Sequence, residues 1–529
     1  MKTVHKLTVI ALLWLIFVNS GSIASIDTKR RMQMAHAWWT GTEEGIPGDT
    51  LVINVNNKNY IPYDLGQSML MLPGDWLGNK LAQNIAVDRK IRQQFTELII
   101  SFFIFLPINL LTVVMCFHLL RLFDYSEKLA GLSSIILLLG TSFLFYTTFP
   151  QQNNQILLFV LIGYQTILIS LKKNKKRFLV FSGIALGITF LIRITSLLYA
   201  ASVIVFLVGC ICSQFKRKSL SKSFKSVLLW LSGFVPFILI ERILTYYRYG
   251  SWTATSTSLH IQIYQQMYSE ADLATNANNI ARGVNNDFSF LNLLKELQLE
   301  GFLAPFFSPE KSIFLYDPLL IPCLIILLIC WKFLASEIKW YLIAVIFGFL
   351  LHLYIYAWNT DWIGHSSFGA RYHITSVHLF LIPLIPLLVR GATKKIEQGN
   401  FLKKAVIYCT KFIIIVSILL QFSSIMLPSP LEQTQQYLGV GSRFRFIQRI
   451  NNIYYLFKDE REFYITNSEV INKYPELAPN RKINWEIFPL KLKSKLNNKS
   501  SFSKLIPIII LIWIIIFILA VASTVWIFI

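Results

Sequence analysis

Charge is scarce in this sequence. Only 15% of its 529 residues are Asp, Glu, Lys or Arg, against about 25% in a soluble globular chain. Acids are scarcer than bases, 28 against 50. So little charge cannot cover the surface of a soluble fold of this size, which excludes that class. The strict alternation of a transmembrane β-barrel is missing as well. A disulfide framework is equally absent: all six cysteines (Cys116, Cys210, Cys212, Cys323, Cys330 and Cys409) fall inside apolar runs and none in a polar loop. The Cys210/Cys212 pair has neither the spacing nor the His companions of a zinc site. No P-loop, Rossmann glycine pattern, HExxH or GxSxG occurs, which argues against nucleotide hydrolysis, zincin proteolysis and serine-hydrolase chemistry. Nor is there an internal repeat of the transporter kind.

What the sequence does have is apolar residues, 54% of the total with 41 Phe, gathered in long blocks. Blocks of this length cross a hydrocarbon core of about 30 Å as helices, the one open-ended element that satisfies its own backbone in lipid. Twelve runs are expected to span, near 7–20, 97–120, 129–148, 156–171, 178–192, 195–213, 226–245, 318–335, 340–357, 374–390, 404–426 and 505–529. The predicted fold is an all-α polytopic membrane protein with about twelve transmembrane helices. The net charge of +22 is concentrated in short loops, among them KKNKKR at 172–177 and KRKSLSKSFK at 216–225. That is the positive-inside pattern, and it replaces nucleic-acid binding as the reading of the charge. It places 121–128, 172–177 and 214–225 in the cytoplasm. By alternation, 21–95, 149–155, the turn at Arg193, 246–317, 358–373 and 427–504 lie outside. The expected division is a transmembrane domain at 1–426, a small extracytoplasmic region at 427–504 and a last helix at 505–529. Residues 7–20 read either as a retained first span or as the apolar core of a cleaved signal with SIA at 22–24 as its cleavage site. Both readings put the following loop outside.

The polar residues worth attention all lie on that outer side. Asp27 follows the first span, with Lys29, Arg30 and Arg31 beside it, and suits a general base at the bilayer surface, an acid that binds a metal, or a solvated helix end. The stretch YIPYDLGQSMLMLP (60–73) embeds Asp64 and Gln67 in what reads as an interfacial helix, with Leu65, Met69 and Leu72 on one face. PQQNNQ (150–155) offers the amides of Gln152 and Asn153, which bond sugar hydroxyls or simply make a polar turn. Arg193, between two apolar stretches, needs a partner such as a lipid phosphate, or snorkels to the headgroups. SPEKSIFLYDP (308–318) brings Glu310, Lys311 and Tyr316 to the start of a span. Lys311 suits a phosphate, while Ser308 and Pro309 read as a helix cap. WNTDWIGHSSFGARYH (358–373) is the densest polar cluster between spans. It carries Trp358, Asp361 and Trp362 for a sugar and Arg371 for a phosphate or carboxylate.

Taken together, these segments resemble the GT-C superfamily of polyprenyl-phosphate-dependent glycosyltransferases, above all bacterial enzymes of the protein O-mannosyltransferase and aminoarabinose transferase type. Asp27 after the first span, YDLGQSMLMLP, LIRITSLL, FFSPEKSIFLYDPLL and WIGHSSFGARY carry the likeness over roughly residues 7 to 390. The resemblance implies a retained first span, a first-loop acid as base (Asp27) and inverting transfer from a sugar on a polyprenyl phosphate. Arg193, Lys311 and Arg371 are then expected at the donor phosphate. Asp64, Gln67, Gln152, Asn153, Glu310, Tyr316, Trp358, Asp361 and Trp362 are expected at the sugar or acceptor. The implied partners are a lipid-linked sugar donor and membrane lipids, in the plasma membrane with the site facing outward. No ligand set for a metal is visible, and dependence on a divalent ion stays open. Two other classes remain: an O-antigen ligase or polymerase using a lipid-diphosphate glycan, and a lipid-glycan transporter, which the large loops and charge-poor spans disfavour.

Overall fold

In a computed structural model of the chain, the described residues are 2–42, 53–83, 89–214, 219–256, 258–259, 299–357, 364, 367–393, 401–429, 431–437, 442, 444–458, 462–463, 481–495 and 505–528. Trp358, Asp361 and Trp362 lie outside them. All twelve apolar runs are helical. Helix α1 (Lys2–Val18) leads into the first loop, which holds α2 (Ile26–Thr40), a hairpin of β1 (Ile53–Val55) and β2 (Lys58–Tyr60), and α3 (Gly66–Gln83). The hairpin turns at Asn56 and Asn57, both at positive φ, a conformation that Asn tolerates well.

Next comes α4 (Arg89–Ile100), which runs through a π-turn at Ser101–Phe105 into α5 (Leu106–Leu122). The bundle continues with α6 (Glu127–Gly140), α7 (Phe143–Thr148), α8 (Asn153–Lys173), α9 (Arg177–Ile192), α10 (Leu197–Gln214) and α11 (Ser219–Tyr249). The described chain resumes with α12 (Leu299–Phe307) and α13 (Ile313–Tyr316), both within the 246–317 segment expected outside, followed by α14 (Leu320–Cys330), α15 (Ser336–Ala357), α16 (Ile374–Leu381), α17 (Ile385–Thr393) and α18 (Phe401–Met426). The C-terminal part adds α19 (Leu431–Tyr437), α20 (Arg445–Phe457), a two-residue ladder β3 (Glu462–Phe463) with β4 (Arg481–Lys482), α21 (Phe488–Lys495) and α22 (Ile506–Phe528).

Not every apolar run is one full-length helix. Among the described residues, seven helices are long and apolar enough to cross a membrane, and the bent pair α16–α17 makes eight. Helices α1 and α9 and the segment Leu320–Phe333 are apolar but shorter. The 129–148 run is divided into α6 and α7 at Thr141. There the Ser142 N–H donates to Asp317 Oδ1 at 2.6 Å and its hydroxyl to Oδ2 at 2.7 Å, so Asp317 caps the second piece with a carboxylate. The 374–390 run bends by 49° between α16 and α17. Pro383 sits in that break, where its missing N–H and its ring end a helix, and its carbonyl accepts from Tyr125 Oη at 2.8 Å.

Close packing fixes the frame. A Cβ on Gly183 of α9 would collide with the Trp230 carbonyl oxygen of α11, and one on Gly233 of α11 with the Val180 carbonyl oxygen of α9. Two glycines thus let the backbones touch, as small residues do between membrane helices. Tyr164, Phe206 and Tyr341 fill the centre where α8, α10 and α15 meet. Helix α1 packs on α22: Trp14 Nε1 donates to Thr524 Oγ1 at 2.9 Å and Trp513 Nε1 to the Phe17 carbonyl at 2.8 Å. The outward sides of α18 and α22 expose Phe412, Leu419, Leu511 and Ile518, a surface suited to lipid rather than water. All six cysteines are free thiols.

Candidate functional site

Helix α2 begins where the chain leaves α1. Ser25 is its N-cap, its hydroxyl accepting from the Thr28 N–H, and Asp27 falls in the first turn, where the helix dipole favours an acid. Arg31 comes four residues later, on the same face of the helix. Thr28 Oγ1 donates to the Pro150 carbonyl at 2.9 Å and Gln67 Nε2 to that same oxygen at 3.0 Å. The PQQNNQ turn is therefore the floor on which α2 and α3 rest.

Four further segments meet above this floor. Arg371 reaches from the loop before α16 to Asp27, Nη2 to Oδ2 at 2.9 Å. Tyr63 Oη donates to the other carboxylate oxygen, Oδ1, at 3.0 Å. Asn153 Nδ2 donates to the Arg371 carbonyl at 2.6 Å, and Gln152 Nε2 donates to the Ile192 carbonyl. Asp64 Oδ2 accepts from the Ile194 N–H at 3.2 Å, which fastens the first loop to the turn that carries Arg193. Lys311 is wholly buried. Its Nζ donates to the Ser367 carbonyl and to Ser367 Oγ, the latter at 3.1 Å, and so holds the loop that presents Arg371.

Arginines converge on this point. Arg193 and Arg371 both stand over the Tyr372 ring, 5.1 Å and 5.7 Å from its centroid, and Arg31 lies 4.4 Å from the centroid of Tyr63. Burial alone would raise the Asp27 carboxyl. The charges of Arg371 and Arg31, with hydrogen bonds from Arg371 and Tyr63, outweigh it and hold Asp27 well below the usual carboxylate range. Burial and then the Asp27 carboxylate push the Tyr63 phenol up, so Tyr63 is a neutral donor. Burial also raises Asp64, against the Ile194 N–H that it accepts. Among the described residues no group of three His, Cys, Asp or Glu side chains is placed to hold a metal.

The sequence candidates thus fall into two groups. Asp27, Asp64, Gln67, Gln152, Asn153, Arg193, Lys311 and Arg371 belong to one connected network. Glu310 and Tyr316 lie to its side, toward the C-terminal part. Glu310 pairs with Arg445 at 3.0 Å, and Tyr316 sets its ring edge-on against Phe368, centroids 4.5 Å apart. Two details differ from expectation. Ser312 rather than Ser308 caps the helix before Tyr316, accepting from the Phe314 N–H at 3.2 Å, because residues 309–311 form a turn. Helix α3 starts after Leu65, which is buried, so its exposed face carries Met69, Pro73, Trp76 and Lys80. Arg31, Tyr63 and Tyr372 were not candidates. Arg31 follows Asp27 at i+4, which was a usable signal, but it stood among three consecutive bases.

Residues 93–240 match the family model described as dolichyl-phosphate-mannose-protein mannosyltransferase. The chain is mannosyltransferase-like, of the GT-C type. No curated protein and no solved structure matches it. The matched stretch runs from α4 to α11 of this mannosyltransferase-like chain. It includes the amide turn and Arg193, while Asp27, Lys311 and Arg371 lie outside it. With its apolar helices, the match makes this an integral membrane protein and a glycosyltransferase by type.

Proposed function

We propose that the protein transfers a sugar from a polyprenyl-phosphate carrier to an acceptor on the non-cytoplasmic side, with inversion and with Asp27 as general base. The observation that carries this reading is the contact of Asp27 with Arg371 and Tyr63, made where the first loop, the amide turn and the loop before α16 meet. In the step envisaged, Asp27 takes the proton of an acceptor hydroxyl. The hydroxyl oxygen then bonds to the sugar's anomeric carbon from the face opposite the phosphate. The bond from that carbon to the phosphate oxygen breaks, and its electron pair stays on the carrier. Arg371 and Arg193 offset the charge that develops on the leaving phosphate, and such preorganised charge is the strongest catalytic aid in a site with little water. Lys311 contributes by holding the Ser367–Arg371 loop in place.

Asp64, Gln67, Gln152, Asn153, Glu310 and Tyr316 are proposed to shape the sugar and acceptor side. The amide donors of Gln67, Gln152 and Asn153 are directed to backbone carbonyls, while Gln67 Oε1 and Asn153 Oδ1 are buried without a hydrogen-bond partner. The division into a transmembrane domain at 1–426 and an extracytoplasmic region at 427–504 is part of the same reading. So is retention of the first helix, which the packing of α1 on α22 supports.

The test supplies membranes bearing wild type or Asp27→Asn with a panel of radiolabelled polyprenyl-phosphate sugars and follows release of the carrier. The expected result is release by wild type and a loss of about 10²–10⁴-fold in the variant at equal protein level. Release untouched by the substitution moves the base elsewhere. Turnover of a diphosphate-linked glycan, with none of any monophosphate donor, replaces the reading with a ligase.

A further inference from the structure

Helix α20 is turned inside out. Its outward side carries Phe444, Ile447, Ile450, Tyr454 and Phe457, each between 48% and 70% exposed. Steps of three and four residues put them in one stripe along the helix. The inward side is mostly polar: Gln448, Arg449 and Asn452 are buried there beside Leu456. Gln435 of α19 donates to Asn452 Oδ1 at 2.9 Å, and Arg449 Nε donates to Glu432 Oε1 at 2.9 Å. A helix facing water has the opposite arrangement, and an apolar stripe of this length marks a surface that something apolar covers.

Arg449 also fixes the level at which the stripe sits. Its Nη1 donates to the Ser424 carbonyl at 2.8 Å, and its Nη2 to those of Leu427 and Pro428 at 3.2 Å and 3.0 Å. Ser424 is in the last turn of α18, and Leu427 and Pro428 follow that helix directly. Helix α20 is thus fastened to the point where α18, with its lipid-facing Phe412, Ile415 and Leu419, leaves the bilayer. The residue types agree with that level. Tyr454, Tyr455 and Trp485, the last edge-on to Phe457 with centroids 5.5 Å apart, are rings that settle among headgroups. Lys458, whose Nζ stands 4.7 Å over the Tyr454 ring, has the stem and charge of a residue that snorkels there.

We propose that α20 is an interfacial helix, lying in the headgroup layer of the non-cytoplasmic leaflet with its apolar stripe toward the acyl chains. Its occupant is the lipid of the protein's own membrane. The polar side is already taken by α19 and the end of α18, which leaves the stripe for the bilayer that begins at that same point. The seat reaches the catalytic loops as well. Arg445, in the first turn of α20, pairs with Glu310 at 3.0 Å. Glu310 adjoins Lys311, whose ammonium holds Ser367 Oγ at 3.1 Å, so the bilayer surface bears on the loop that presents Arg371. Contact of α20 with lipid is independent of which reaction the protein catalyses.

The test uses the full-length protein in phosphatidylcholine nanodiscs, in a cysteine-free background, with Ile450→Cys carrying an environment-sensitive fluorophore. Quenching is read from lipids with a nitroxide just beneath the headgroup, from lipids with one near the chain end, and from aqueous iodide. Phe412→Cys on α18 is the lipid-embedded reference. The shallow nitroxide is expected to quench the Ile450→Cys label at least about twofold more than the deep one, as a helix lying in the interface requires. Iodide is expected to quench it little, and the reference label should respond more to the deep nitroxide. Quenching of the Ile450→Cys label by iodide and by neither nitroxide puts the stripe in water and overturns the proposal. Protection from iodide without quenching by either nitroxide assigns the stripe to a second copy or to another part of the chain, and also overturns it. Should Ile450→Cys melt well below the parent protein, Ile447→Cys and Tyr454→Cys are judged by the same criteria. Carrier release enters none of these readings, so their failure leaves the glycosyltransferase reading standing, and failure of that reading leaves the lipid seat.

Discussion

Asp27 is approached from three parts of the chain: Arg31 in its own helix, Tyr63 from the hairpin side of the first loop, and Arg371 from far downstream. Its ionisation therefore reports folding. Its folded value lies below the unfolded value of about 3.9, so its stabilising contribution is complete above about pH 4 and fades as pH falls toward the folded value. Asp27→Asn is expected to melt below wild type, with a gap that stays constant from about pH 8 to pH 5 and narrows only below about pH 4. Thermal unfolding across that range checks it, and a gap that closes near neutral pH contradicts the arginine pairing. Individually, these residues were legible in the sequence. An acid after an apolar run, an Arg between two spans and an Arg in a polar loop each stand out against charge-poor surroundings. Their pairing was not, because a contact across 344 positions leaves no periodicity. Tyr63 gave still less, being one of many aromatic residues.

At the scale of elements, helix α3 is seated by a glycine. A Cβ on Gly66 would stand 2.5 Å from the Ile192 nitrogen and 2.5 Å from the Leu191 carbonyl carbon, backbone atoms that cannot swing aside. Gly66→Ala is expected to lift α3 from α9, weaken the Asp64–Ile194 and Gln67–Pro150 hydrogen bonds and cost about 1–3 kcal/mol. Chemical denaturation of the purified protein measures the cost, and the carrier-release assay should fall with it. A stable, fully active alanine variant contradicts this seating. The helices themselves were readable, because lipid demands long apolar runs and little else. The breaks within them were not. The Thr141 break is capped by a carboxylate 175 residues away, and the break at Pro383 falls inside a run read as one span.

For the molecule as a whole, sidedness follows from charge. The segments expected outside are the ones that touch: residues of the first loop, the amide turn, the Arg193 turn and the two later loops form one network. The C-terminal part joins it, since Lys491 Nζ donates to Ser22 Oγ at 2.7 Å and Arg445 pairs with Glu310. The basic turn at 172–177 should face the cytoplasm. In a cysteine-free background, Thr42→Cys is expected to react with an impermeant maleimide on intact cells and Asn174→Cys only after permeabilisation, both positions being exposed. The reverse pattern would invert the topology and move the chemistry to the other face. Finally, the bond between residues 27 and 371 sets a timetable for biosynthesis. The ribosome must deliver about two-thirds of the polypeptide before Asp27 can meet its arginine. On the proposed function, a nascent chain arrested earlier has its acid already across the bilayer but no counterpart for it, and is expected to stay inert toward the carrier until that much of the chain is made.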